Sequence, residues 1–287
     1  MRRRRTPTAG RLGIGIFLLI SAAFFLAPIY VMLVTSLKSM PEIRQGSILA
    51  LPHSPSLKAF SDAWWSACSG LQCTGIRAGF WNSVLILVPS VTLSVLIGAL
   101  VGYAISLWRV KGADTLLFLL IAAGFIPYQV IIFPLVKITS MLGLYGGLPG
   151  IVLVHIIFSL PILTLIFRNH YVHLPTEIIK AARVDGAGYW RMFFHIVLPL
   201  SPGIIIVAVI IQVTGVWNDF LLGLIFAGLD YQPMTVQLNN LVGSTFGERR
   251  YDLEMAATLL TALPPLIVYL LSGRFFIRGI TAGAIKG

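Results

Sequence analysis

The chain has 287 residues, of which 57% are hydrophobic and only 11% charged, with a formal net charge of +11. Soluble domains average about a quarter charged residues, so this composition excludes an ordinary water-facing globule and fits lipid as the solvent. The placement of the positive charge excludes a nucleic-acid surface: the basic residues sit between apolar stretches, with no basic face interleaved with aromatics.

The N-terminus opens with Arg2, Arg3, Arg4 and Arg5, and after Arg11 an uncharged run covers 12–37. A cleaved signal peptide has an apolar core of about 7–15 residues. This run is longer and reads as an uncleaved first span. At roughly 20 apolar residues per crossing, five more helical spans are predicted over 80–108, 115–136, 148–167, 203–225 and 255–273. Trp81 and Trp108 flank the second at interface depth. Pro127 and Pro134 fall inside the third, Pro161 inside the fourth and Pro264-Pro265 inside the sixth. Membrane helices tolerate such prolines because neighbouring helices satisfy the freed carbonyls. The segments 38–79, 168–202 and 226–254 are long connections, and no repeat of solenoid period runs through the chain.

Placing the N-terminus in the cytoplasm puts fourteen of the 21 Lys and Arg on the inside, as the positive-inside rule requires. The expected fold is therefore an all-α membrane protein of six transmembrane helices with both termini cytoplasmic. It has a basic N-terminus over 1–11, one six-span domain over 12–276 and a tail over 277–287.

Several chemistries have no residues to carry them. There is no G-x-x-x-x-G-K-[ST] loop to cradle nucleotide phosphates, no H-E-x-x-H and no G-x-S-x-G. No catalytic set and no bound cofactor are expected. His170 and His173 stand three apart, but no cysteine or carboxylate nearby completes a metal set. His155, inside the fourth span, reads as a hydrogen-bonded packing histidine. Energy for any transport must come from a partner or from an ion gradient.

The inside connection holds the clearest pattern. Pro175 and Thr176 can start a helix, with Glu177 placed favourably in its first turn. Ile178, Ala181, Ala182 and Asp185 share one small-sided face that another protein could approach closely. Gly186 then breaks the helix. A second amphipathic stretch, 189–198, ends at Pro199. The expected object is a two-helix knob beneath the membrane.

Ala181, Ala182, Asp185, Gly186, Ala187, Leu198 and Pro199 resemble the EAA loop of ABC importer permeases, with Lys180 at the position of the motif's glutamate and Glu177 three residues earlier. Beyond the loop, Thr35-Ser36-Leu37-Lys38, Asn82-Ser83, Gly102-Tyr103-Ala104, Ile126-Pro127, Pro134-Leu135, Trp217-Asn218-Asp219-Phe220 and the tail 275–287 are similar to the second membrane subunit of maltose-type importers. The stretch 63–82 is similar to permeases of the glucose/mannose importer group. The resemblance covers nearly the whole chain. It implies a permease of the bacterial inner membrane and a coupling loop over 168–202 that docks on an ATPase dimer. The implied partners also include a second related permease and a periplasmic or extracellular sugar-binding protein. ATP and Mg would be bound by the ATPase partners, and the cargo would be a sugar, with a self-contained secondary transporter of a small polar solute as the alternative.

The candidate substrate pathway lies in the fifth span. Asn218 and Asp219 lie about 15 residues in from Gly203, or roughly 22 Å at 1.5 Å per residue. An ionisable residue at that depth is a functional candidate by default. Trp217 offers a ring face, while Asn218 and Asp219 offer hydroxyl partners. The bland alternative is that Asp219 caps a helix break and never meets cargo. Tyr128 and Gln129, just after Pro127, are further pathway candidates. In the outside connection, Cys68 and Cys73 are either bonded to each other, as an oxidising compartment permits, or free thiols.

Overall fold

A computed structural model describes residues 9–68, 73–108, 110–243 and 249–284. The run Arg2 to Arg5, Arg109 and residues 285–287 of the tail lie outside the described residues. Among the described residues every regular element is helical. Four helices are long and apolar enough to cross a membrane singly, or six if each of two bent pairs crosses as one. The chain divides into two compact units, Met1–Ile76 with Asn240–Thr261 and Arg77–Asn239 with Ala262–Gly287.

The first unit begins with α1 (Ala9–Ser36), which is apolar all round. Its large side chains stay uncovered, with Phe17 70% and Phe24 74% exposed. A helix of this kind matches lipid on every face. The connection that follows is folded rather than open. It contains α2 (Met40–Gln45) and α3 (Lys58–Trp65). The buried Lys38 donates to the Ser47 carbonyl at 3.0 Å, and the Tyr30 hydroxyl donates to the Leu49 carbonyl at 2.8 Å. Arg250 joins Asp62 at 3.0 Å and Asp252 at 2.8 Å. Cys68 and Cys73 are joined by a disulfide.

The second unit is built on α4 (Arg77–Tyr103) and α7 (Leu148–Tyr171). Gly98 and Gly102 stand four apart on α4 and make the seam. A Cβ at Gly98 would lie 2.6 Å from Leu163 Cβ, and one at Gly102 would lie 2.9 Å from Phe167 Cβ. Small residues at this spacing let membrane helices approach backbone to backbone, where dispersion and not hydrophobicity holds them. α4 runs on into a π-helical turn, Ala104–Trp108. α5 (Ala113–Gly124) and α6 (Tyr128–Met141) follow, and then α7. The segment between α7 and the next long helix holds α8 (Thr176–Val184) and α9 (Tyr189–Met192), with a second π-helical turn at Phe193–Val197. α10 (Pro202–Asn218), α11 (Leu221–Phe226), α12 (Met234–Gly243) and α13 (Tyr251–Ala284) complete the order.

Three expected spans change on folding. The third is two helices, α5 and α6, bent by 104°. Pro127 cannot donate a backbone N–H and biases its predecessor away from helix, so the break falls there. The fifth stops at Asn218 because Asp219 is extended, with ψ 131°. The sixth starts at Tyr251 and continues to Ala284, so its helical backbone takes in most of the expected tail.

Candidate functional site

Two places gather the predicted functional residues, and both lie within the second unit. The first is the α8–α9 knob. Gly186 has φ +75° and open space around it. Its N–H reaches the Arg183 carbonyl at 3.1 Å, and the Ala187 N–H reaches the Ala182 carbonyl at 2.9 Å. This pair of bonds closes the C-terminus of α8 in a Schellman motif, which needs a left-handed residue at the Gly186 position. The helix break expected at Gly186 is therefore built from backbone geometry.

The two sides of α8 differ. Ile179 and Ala182 are buried against the core, whereas Ile178 is 41% and Val184 87% exposed. Glu177, Lys180, Ala181, Asp185 and Gly186 are also exposed, and Ala187 is half-buried. Ala182 thus belongs to the inner face and not to the outer face on which the sequence spacing placed it. The shift follows from α8 leaning on the helices above, a contact that periodicity alone does not orient. Trp190 is 59% exposed, and it stacks on Phe194 at 6.2 Å. The Glu177 carboxyl is held below its usual range by its own backbone N–H and then by the Thr176 hydroxyl. Hydrogen bonds to the ionised form favour it.

The second place is a cavity of about 670 Å³ lined by the α5–α6 break, the middle of α7 and the α10–α11 break. Tyr128, His155, Ser159, Gln212, Asn218 and Asp219 supply its polar groups. Phe158 lines it too, and its ring meets Tyr128 edge-on at 5.8 Å. The Ser159 hydroxyl bonds the His155 carbonyl at 2.6 Å and Gln212 Oε1 at 2.8 Å. His155 Nε2 stands 4.0 Å from Asp219 Oδ2. Asp219 caps a helix break and also borders the cavity. Its carboxylate accepts the Leu222 N–H at 3.3 Å and the Gly223 N–H at 2.9 Å, capping α11. The Thr235 hydroxyl secures the Asp219 carbonyl at 2.6 Å.

Asn218, Asp219 and Tyr128 therefore come together, while Trp217 and Gln129 are not among the lining residues. Trp217 is 3% exposed and packs against Phe80 at 5.7 Å. The sequence pattern singles out neither Ser159 nor Gln212, and His155 reads in it as a packing residue. The available signal was polarity at bilayer depth: His155 and Ser159 stand four apart on an uncharged span, and Gln212 interrupts an apolar one. Among the described residues, no group of three or more His, Cys, Asp or Glu could hold a metal ion.

Comparison with known proteins points one way. Residues 94–282 match the model of the binding-protein-dependent transport system inner membrane component family. Over 188 residues the chain is 42% identical to a probable ABC transporter permease protein of Pyrococcus horikoshii, covering 65% of this chain and 68% of that one. It is 29% identical to an arabinooligosaccharides transport system permease protein of Halalkalibacterium halodurans, covering 100% of both. A solved bacterial ABC transporter involved in the import of the acidic polysaccharide alginate has the same fold, with a TM-score of 0.76 at 18% identity over 95% of this chain and 99% of that one.

Proposed function

We propose that this chain, which belongs to the family of binding-protein-dependent transport system inner membrane components, is the permease subunit of an ABC importer for a carbohydrate. The cavity carries this reading. Its amide, imidazole, hydroxyl and phenol groups, with one carboxylate, line an otherwise apolar space between membrane helices. A neutral, hydroxyl-rich solute needs several hydrogen-bonding partners there and no compensating charge. The relative named for arabinooligosaccharides supports the same substrate class. A hexose of the glucose/mannose type is the first cargo to test.

The remaining parts follow from that role. Both termini and the 168–202 loop face the cytoplasm, because the basic residues concentrate there. Residues 1–11 and 277–287 flank the permease domain. The exposed apolar side chains of the knob, Ile178, Val184 and Trp190, dock on one subunit of an ATPase dimer that binds ATP and Mg. A second related permease completes the pathway, and a sugar-loaded binding protein delivers the cargo to the outer side. This chain binds no cofactor and moves its cargo only when the ATPase pulls on the loop.

The test is reconstitution in liposomes with a partner permease, an ATPase and a binding protein. Expected is sugar uptake that needs ATP and is stimulated by the loaded binding protein. Uptake by this chain alone, driven by an ion gradient without ATP, would overturn the reading in favour of a secondary transporter.

A further inference from the structure

The end of α4 does not stop as a regular helix. Its π-helical turn adds a residue to the ring of each hydrogen bond and re-aims the side chains that follow. Trp108 comes back over its own helix, where its indole N–H donates to the Tyr103 hydroxyl. That hydroxyl donates in turn to the Tyr189 carbonyl at 3.1 Å. The Tyr103 ring packs on Tyr189 at 4.8 Å and on Phe193 at 5.3 Å, and Trp108 packs on Tyr189 at 5.3 Å. The start of α9 is thereby fastened to the end of α4.

Arg183 closes this assembly from α8. Its Nη2 donates to the Leu107 carbonyl at 2.7 Å, and its guanidinium lies over the Trp108 ring at 5.3 Å. Leu107 sits in the last turn of its helix, where carbonyls run out of intrahelical donors and the helix dipole is negative. A planar cation satisfies both demands and stacks as well, whereas lysine supplies a charge and donors but no plane to stack. α4 is in turn seamed to α7 at Gly98 and Gly102, and α7 carries His155 and Ser159 to the cavity.

We infer that Arg183 is a positioning residue, clamping the α8–α9 knob to the α4–α7 pair so that force on the knob reaches the α7 wall of the cavity. This rests on the transport reading above. Arg183 is itself exposed, but its guanidinium is engaged on the last turn of α4, while Ile178 and Val184 stay exposed for docking. Losing the clamp therefore separates transmission from docking.

Two measurements on Arg183→Ala and Arg183→Lys test it. The first is hydrogen exchange of the isolated chain in nanodiscs. Amides of 176–187 should exchange about tenfold faster in Arg183→Ala, the loss of one charged hydrogen bond and one cation–π contact. They should exchange at an intermediate rate in Arg183→Lys, with α4 and α7 unchanged. Unchanged exchange overturns the clamp whatever the chain transports. The second is the reconstituted importer. Arg183→Ala should bind the ATPase as the unsubstituted chain does and keep its basal ATP hydrolysis. Sugar moved per ATP should fall about tenfold or more, with partial recovery in Arg183→Lys. Unchanged transport per ATP, or a loss that only tracks failed assembly, overturns the transmission role. If the unsubstituted chain shows no binding-protein-stimulated hydrolysis, the transport reading fails instead, and the exchange result still decides the clamp.

Discussion

The α8–α9 knob and the helix-break cavity each hold side chains opposite in character to their surroundings. The knob lies between spans, yet it exposes Val184 at 87% and Trp190 at 59%. The cavity lies among apolar spans, yet it encloses His155 at 6% and Gln212 at 5%. Exposed apolar groups in water gain by association with a partner. Polar groups enclosed in a membrane are costly and persist where a pathway needs them. The two regions also settle their helix ends differently. α8 ends by folding its own backbone around Gly186, whereas α11 begins under the side chain of Asp219. The knob is therefore shaped by backbone conformation, and the cavity by side-chain hydrogen bonds.

That contrast makes the two regions separable by substitution. The largest effect is expected from Gly186→Val. A β-branched residue at φ +75° costs on the order of 1–3 kcal/mol of local strain. The Schellman closure should open, and ATP hydrolysis stimulated by the loaded binding protein should fall about tenfold or more, with basal hydrolysis unchanged. Full stimulation in this variant would remove the knob from coupling. Asp219→Ala comes next. It removes the cap of α11, worth about 1 kcal/mol, and lowers the melting temperature in detergent. It should reduce transport at saturating loaded binding protein while leaving ATPase docking intact. A docking defect would show that the two regions are not independent. The smallest effect is expected from Gln212→Leu. It deprives the Ser159 hydroxyl of one partner, a bond worth roughly 0.6 kcal/mol inside a membrane. Stability should barely change, but the ranking of sugars by transport rate should shift. An unchanged ranking would mean that Gln212 does not meet cargo.

The legibility of the two regions in the sequence differs for the same reason. The knob is one short run of chain, and its break at Gly186 follows from local backbone preference, so spacing alone located it. Only its rotation escaped: Ala182 was expected outside and is buried, because packing on other helices sets which face turns inward. The cavity draws on Tyr128, His155, Ser159, Gln212 and Asp219 from three separate helices and their breaks. Its members stand out one by one as polar residues at bilayer depth, as Asp219 does, or beside a proline kink, as Tyr128 does. Nothing in the local pattern joined Gln212 to Ser159, or Trp217 to Phe80 rather than to the pathway.

Composition and the length of the apolar runs determined that the chain is helical and apolar enough to cross a membrane, because the bilayer leaves backbone groups no other partner than their own helix. The resemblance of short motifs determined the family. The tertiary structure decided the rest: that Pro127 turns one expected span into two helices at 104°, that Gly98 and Gly102 seam α4 to α7, and that Arg183 reaches the last turn of α4. Each of these depends on which surfaces meet, and contacts between residues far apart in the chain leave no period in its sequence.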